Sequence, residues 1–282
     1  MRLLKNIAPF FVLGLLAACN LTKDVDLDLP EYEGRPVVEC YLEPGQPMRV
    51  LLTQSFGFFD QFDTSLVEFL DNATLDSALV QIEYKGQTFT LKNEYAIDFT
   101  TGRFYNYINP ALVPADYDSD FKLNITLADG RTIAAQTRLL PVVPIDSIVV
   151  NWSPTRDTLA RVLTYLTDDR TKTNFYRRVL NYSSLDSVPD QDFILRDNLN
   201  TTDIIAFGTG YNLKEGDTVF NTVYHITEQH FNFIESFQLA IQANLNPFSQ
   251  PSAIQSNLTG TANALGIFTG LAFDRDTTII RK

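Results

Sequence analysis

The chain has 282 residues, a formal net charge of −12, two Cys, two His and one Trp. An acidic chain with no basic block excludes nucleic acid as a partner, because phosphates need clustered Lys and Arg. Two Cys and two His exclude a Cys-rich zinc site and a disulfide framework, and 45% hydrophobic residues exclude a disordered body.

Arg2 and Lys5 form a short basic start, and Ile7 to Ala18 is an apolar run broken by Pro9. Spanning a bilayer takes about 20 apolar residues, so this run fits the core of a signal peptide over residues 1–18. It ends in Leu16-Ala17-Ala18-Cys19, which resembles the bacterial lipobox. Small residues there let a peptidase reach the bond before Cys19, whose thiol then takes the lipid. Residues 19–35 follow as a tether. Its acidic stretch, Asp24 to Asp28, resembles the export signal of surface lipoproteins in Bacteroidetes. The expected location is the outer membrane, lipid-anchored and facing the cell exterior. The second cysteine, Cys40, has no partner and is expected as a buried thiol in a strand.

The body is expected to be mainly β, with an immunoglobulin-like β-sandwich over residues 36–140. Val38, Cys40 and Leu42 alternate with Val37, Glu39, Tyr41 and Glu43, and Phe121 to Leu127 repeats that pattern. A period of two with one polar face predicts half-solvated antiparallel strands. Lys85-Gly86 and Asp129-Gly130 signal hairpins, the second of type I′. Phe56 to Asp71 reads as a long loop. Pro141 and Pro144 predict a boundary, with a second β-rich domain over residues 145–282. Strands are expected at 145–152, 159–166, 175–182, 192–196 and 218–224. A helix near 228–243 is capped by Thr227 and carries His230, Ile234, Phe237 and Ile241 as its apolar stripe. Leu265 to Phe273 reads as one last strand.

Several segments together resemble a Bacteroidetes lipoprotein family known as domain of unknown function 4249. They are Asp26-Leu27-Asp28-Leu29-Pro30, Val37-Val38-Glu39, Gly45-Gln46-Pro47, Pro144-Ile145-Asp146-Ser147-Ile148, Asn174-Phe175-Tyr176-Arg177, Asn246-Pro247-Phe248, Ser256-Asn257-Leu258-Thr259-Gly260 and Gly266-Ile267-Phe268. Cys40 stands where the family often has Gly, and the closing segment is less Gly-rich than usual. The resemblance implies an outer-membrane lipoprotein, often encoded beside a TonB-dependent receptor, with no established activity and no catalytic residues to carry over.

The chain holds no Gly-x-Ser-x-Gly elbow, His-Glu-x-x-His, P-loop or Rossmann fingerprint. His225 and His230 are five apart across a strand–helix junction, so His230 is expected to pack and His225 to cap a strand. Asp116, Asp118 and Asp120 alternate like the start of a calcium loop, but Phe121 and Leu127 stand where an EF-hand needs Gly and Glu. Asp168-Asp169 and Asp190-Gln191-Asp192 read as solvated loop charges. Phe56, Phe58, Phe59 and Phe62 cluster in one loop that either completes the core or docks a partner protein.

Six Asp-Ser or Asp-Thr triplets match a Bacteroidetes O-glycan acceptor pattern, at Ser77, Ser147, Thr158, Ser187, Thr218 and Thr277. Asp-Ser and Asp-Thr also start turns by local hydrogen bonding. The expectation is therefore a non-enzymatic, lipid-anchored accessory or ligand-binding protein working with a TonB-dependent receptor, without a cofactor. A carboxylate- or metal-dependent hydrolase of glycan or peptide, and a structural or adhesive envelope protein, stand as alternatives.

Overall fold

Alternating burial along β1 (Pro36–Leu42) and β2 (Pro47–Gln54) sets Val38, Cys40, Leu42, Met48, Val50 and Leu52 inward. The same period runs through β3 (Leu79–Tyr84), β6 (Asp120–Thr126) and β7 (Thr132–Arg138). Between them, β4 (Gln87–Asp98) and β5 (Arg103–Leu112) form a long hairpin, irregular between Asn93 and Ala96. This is a computed structural model and describes residues 33–57, 72–199, 202–244 and 253–282. With β14 (Leu265–Gly270), these strands form one eight-stranded sheet in the order β14-β1-β2-β5-β4-β3-β6-β7 around a single apolar core. The class is mainly β, and the first half runs as one continuous ladder. Cys40 is buried at its centre, where burial pushes the thiol well above its usual range.

The two edges of that sheet are joined by residues 256–262. The Asn257 side chain donates to the Phe268 carbonyl at 2.7 Å and accepts its N–H at 3.0 Å, standing in for a missing strand on β14. Thr259 exchanges both backbone hydrogen bonds with Ala134 of β7. Gly266 makes the close approach that parallel pairing of β1 with β14 requires. Its φ is +120°, and a Cβ there would lie 1.9 Å from the Val38 carbonyl oxygen.

The second half builds two smaller sheets. One, β11-β10-β13-β15, combines Gln191–Arg196, Phe175–Tyr182, Thr218–Ile226 and Ala272–Ile279. The other, β12-β9-β8, combines Ile204–Gly208, Ala160–Thr167 and Ser147–Trp152. Ala160, Val162, Leu180 and Val219 pack between them at one end, and Leu166, Tyr176, Phe207 and Val223 at the other. Arg178, fully buried in that layer, donates to Asn221 at 2.9 Å and to Gln191. The opposite face of the four-stranded sheet meets α1 (Glu228–Asn244) and Tyr41 of β1 through Phe175, Tyr224 and Phe231.

Four readings need correction. The run Leu265–Phe273 is two strands in two sheets, divided at Leu271. Gly34–Lys282 form one compact unit, and β14 returns from beyond Pro141 and Pro144 to pair in the first sheet. The Asp129-Gly130 hairpin has a three-residue loop, because Gly130 has φ +84° while Asp129 does not enter the left-handed region. The two-residue turn with both φ positive is at Lys85-Gly86. The Thr227 cap holds, accepting the His230 N–H at 3.2 Å. However, Phe237 and Ile241 are exposed, since α1 packs through His230, Phe231 and Ile234, and Ser236 takes the next buried position.

Candidate functional site

The polar face of β1 does not look into water. Glu39 and Tyr41 point toward the second half of the chain, beside Arg103 and Tyr105 of β5. At that junction lies a cleft of about 430 Å³. Its walls come from the end of β1, the start of β2, the tip of the β4–β5 hairpin, β13 and the start of β15. Three arginines line it, each seated on an aromatic ring. Arg103 lies 4.8 Å over Tyr41, Arg49 5.4 Å over Tyr105 and Arg275 4.9 Å over Phe273. A guanidinium over a ring is attracted to it by cation–π interaction and can still donate from its N–H groups. Phe99, 86% exposed, stands at the mouth on the hairpin tip.

The charges are unevenly matched. Arg49 donates to Gln46 at 3.2 Å and has Asp98 at 3.7 Å. Arg275 donates to Thr222 at 2.9 Å. Neither Arg275 nor Arg103 makes an ion pair with a carboxylate among the described residues. Arg177, behind Tyr224, is by contrast held by both oxygens of Asp192, at 2.7 and 2.5 Å. Burial, reinforced by Asp98, raises the Glu43 carboxyl above the ordinary range and so favours its neutral form.

Beneath the cleft, His230 is 1% exposed and tilts against Tyr41 at 5.8 Å. Neither ring nitrogen has a hydrogen-bond partner among the described residues. Burial, with Arg177 and Arg103 adding repulsion, pushes its pKa down to about 3. It is a neutral packing group at neutral pH. His225 is in β13, with Nδ1 2.8 Å from the Pro141 carbonyl and its ring stacked on Tyr176. The two histidines serve different packing layers.

A second, polar cleft of about 280 Å³ lies at Asp168, Lys172 and Asp197. Asp168 is 5% and Asp197 7% exposed. Asp168 accepts from the Tyr176 hydroxyl at 2.6 Å and from Asn174 at 3.0 Å, and Asp197 accepts the Asn174 N–H at 2.7 Å. Burial and the Asp168 charge raise the Asp197 carboxyl. Asp168 is therefore no solvated loop charge. Gln191 and Asp192 lie in β11 and both serve arginines of β10, with Asp192 still exposed.

The calcium-like aspartates do not converge. Asp116 is taken by the Tyr84 hydroxyl at 2.6 Å and Lys85 at 2.7 Å, and Asp120 by Arg138 and Gln136, both at 2.7 Å; Asp118 is exposed. Among the described residues no three His, Cys, Asp or Glu form a metal-ready group. Ser77, Ser147, Thr158, Ser187 and Thr277 are exposed and Thr218 is half-buried. In the first triplet Asp76 is committed to Thr74, Asn93, Tyr95 and Asn106. Phe56 is half-buried, while Phe58, Phe59, Phe62 and Cys19 lie outside the described residues. No helix among the described residues is long and apolar enough to cross a membrane.

The sequence reasoning missed the cleft arginines. Arg49, Arg103 and Arg275 share no local motif that would mark them as a group.

The fold is mainly β, and a cleft lined by three ring-backed arginines lies where its sheets meet. The model of the family described as Domain of unknown function (DUF4249) matches residues 22–277, and the chain belongs to that family. No curated protein matches it. Among solved structures, a chain titled "Cytokine receptor complex - Crystal form 1A" is similar over 69% of this chain and 86% of its own length. It has 11% identity and a TM-score of 0.26, a superposition too loose to bear on fold or function.

Proposed function

We propose that this is a lipid-anchored outer-membrane protein that binds a small ligand and works with a TonB-dependent receptor in nutrient uptake, without catalysing a reaction itself. The observation that carries the binding role is the cleft, with its ring-backed guanidiniums and a volume suited to a small molecule. The Leu16-Ala17-Ala18-Cys19 box supports the anchor at Cys19, and the acidic tether supports display on a Bacteroidetes cell surface. The partner-docking reading of the Phe56–Phe62 loop belongs to the same proposal. So does O-glycan attachment at the exposed Asp-Ser and Asp-Thr triplets.

The test is co-purification in mild detergent from native membranes. A TonB-dependent receptor is expected in the eluate, and Cys19→Ala is expected to abolish both acylation and membrane retention. Absence of any outer-membrane receptor contradicts the partnership. An unshifted intact mass contradicts the glycan. A second reading, hydrolysis by paired carboxylates, rests on the buried Asp168 and Asp197. It requires glycan or peptide cleavage that Asp197→Asn removes.

A further inference from the structure

We infer that the cleft is a site for a small multivalent oxyanion, a polycarboxylate or a phosphate compound, recognised by Arg103 and Arg275. This rests on the binding-protein reading above and names its ligand class.

The rings decide between two chemistries. Sugars bind by stacking on exposed aromatic faces; here Phe99 alone is strongly exposed at the mouth, while the Tyr41, Tyr105 and Phe273 faces carry guanidiniums. Inside the cleft the main offer is the guanidinium N–H groups not already given to Gln46, Tyr105 and Thr222, whose geometry matches carboxylate and phosphate oxygens. The charge balance points the same way. The chain carries −12 overall, yet this cleft gathers three arginines, two of them without a carboxylate partner. A partly desolvated cation with no carboxylate directly on its fork is costly, and a bound oxyanion can take that place. Arg177 shows the satisfied arrangement in the same layer, with both Asp192 oxygens on one fork.

Two acids share the cleft and oppose an anion. Asp98 sits at 3.7 Å from Arg49, a long contact that an incoming oxygen can replace. Burial and Asp98 raise the Glu43 carboxyl, and the three cleft arginines oppose that rise. Three guanidiniums against the two carboxyls of Asp98 and Glu43 leave the cleft net positive. Its size admits a molecule of a few dozen atoms at most and not a folded chain.

The experiment is isothermal titration of the intact lipoprotein in mild detergent at low salt, with citrate, pyrophosphate and trehalose as probes. Citrate, pyrophosphate or both should bind, and trehalose should not; the preferred oxyanion tells carboxylate from phosphate. Arg103→Gln and Arg275→Gln should each weaken binding at least tenfold, while Arg138→Gln, whose arginine pairs with Asp120 away from the cleft, should leave it unchanged. If Arg103→Gln disturbs folding through Tyr41, Arg275→Gln on edge strand β15 still gives the readout. Failure of both oxyanions to bind, or binding indifferent to both cleft variants, overturns the inference. Rejection of oxyanions with a receptor still co-purifying overturns only the ligand class. Oxyanion binding with no receptor recovered supports it and overturns only the partnership.

Discussion

The Arg103 guanidinium lies 4.8 Å above the Tyr41 ring, and the same ring leans on His230 at 5.8 Å. One side chain thus connects the wall of the cleft to the helix beneath it. Tyr41→Leu keeps an apolar filler but removes the ring that Arg103 sits over. The expected result is a loss of about 1–2 kcal/mol of stability and a several-fold loss of oxyanion affinity. Thermal melting and titration of the one variant measure both.

Stability should fall in mild acid because of His230. Its folded pKa, about 3, is below the ordinary 6.5, so the unfolded chain takes up a proton that the folded chain refuses. The contribution is fully present above pH 6.5 and is lost as pH falls toward 3. Between pH 6.5 and pH 5 that amounts to about 2 kcal/mol. Glu39 acts oppositely, since burial raises its carboxyl despite Arg103 and Tyr41, and folding is favoured as it protonates. His230→Phe removes the first effect and leaves the second. Denaturant titrations at pH 7 and pH 5 should show a smaller acid loss in the variant than in the parent. Equal losses would contradict the assignment.

Gly266→Ala should be severe. The new Cβ meets the Val38 carbonyl in a left-handed backbone, so β14 must part from β1. A cost of about 3 kcal/mol or more follows from strain and lost pairing. Gly45→Ala is the control: its φ is +81° with open space around it, and about 1 kcal/mol is expected. Comparable melting temperatures for the two variants would contradict the close approach.

Asn257→Ala removes both hydrogen bonds to Phe268 and leaves that backbone N–H and C=O without partners. Its cost should be about 2–4 kcal/mol. Hydrogen exchange at the Phe268 amide should speed up before exchange in β3 or β6. Asn257→Asp keeps the acceptor alone and should fall between the two.

Much of the fold is legible because strands advertise themselves by a period of two. Val38-Cys40-Leu42 and Phe121-Leu123-Ile125 face the core as their spacing predicts. The alternation does not say what covers the other face. Glu39, Tyr41 and Arg103 read as solvated, yet they face a second sheet contributed from far along the chain. Leu265–Phe273 reads as one strand because apolar content continues through Leu271, where the partner sheet changes. The Ser256–Gly260 and Gly266–Phe268 segments carry the family resemblance, and they meet at the seam of the eight-stranded sheet. The arginine cleft is illegible for a simple reason. Tertiary folding alone brings β2, β5 and β15 together, and no spacing within the chain encodes that meeting.

The most direct measurement of the central claim is arginine side-chain ¹⁵N NMR during a citrate or pyrophosphate titration. The Nε–H signals of Arg103 and Arg275 are expected to shift and saturate together, while that of Arg177, already bound to Asp192, stays in place. Movement of Arg177 alone, or no movement of Arg103 and Arg275 at saturating oxyanion, would contradict a ligand site in this cleft.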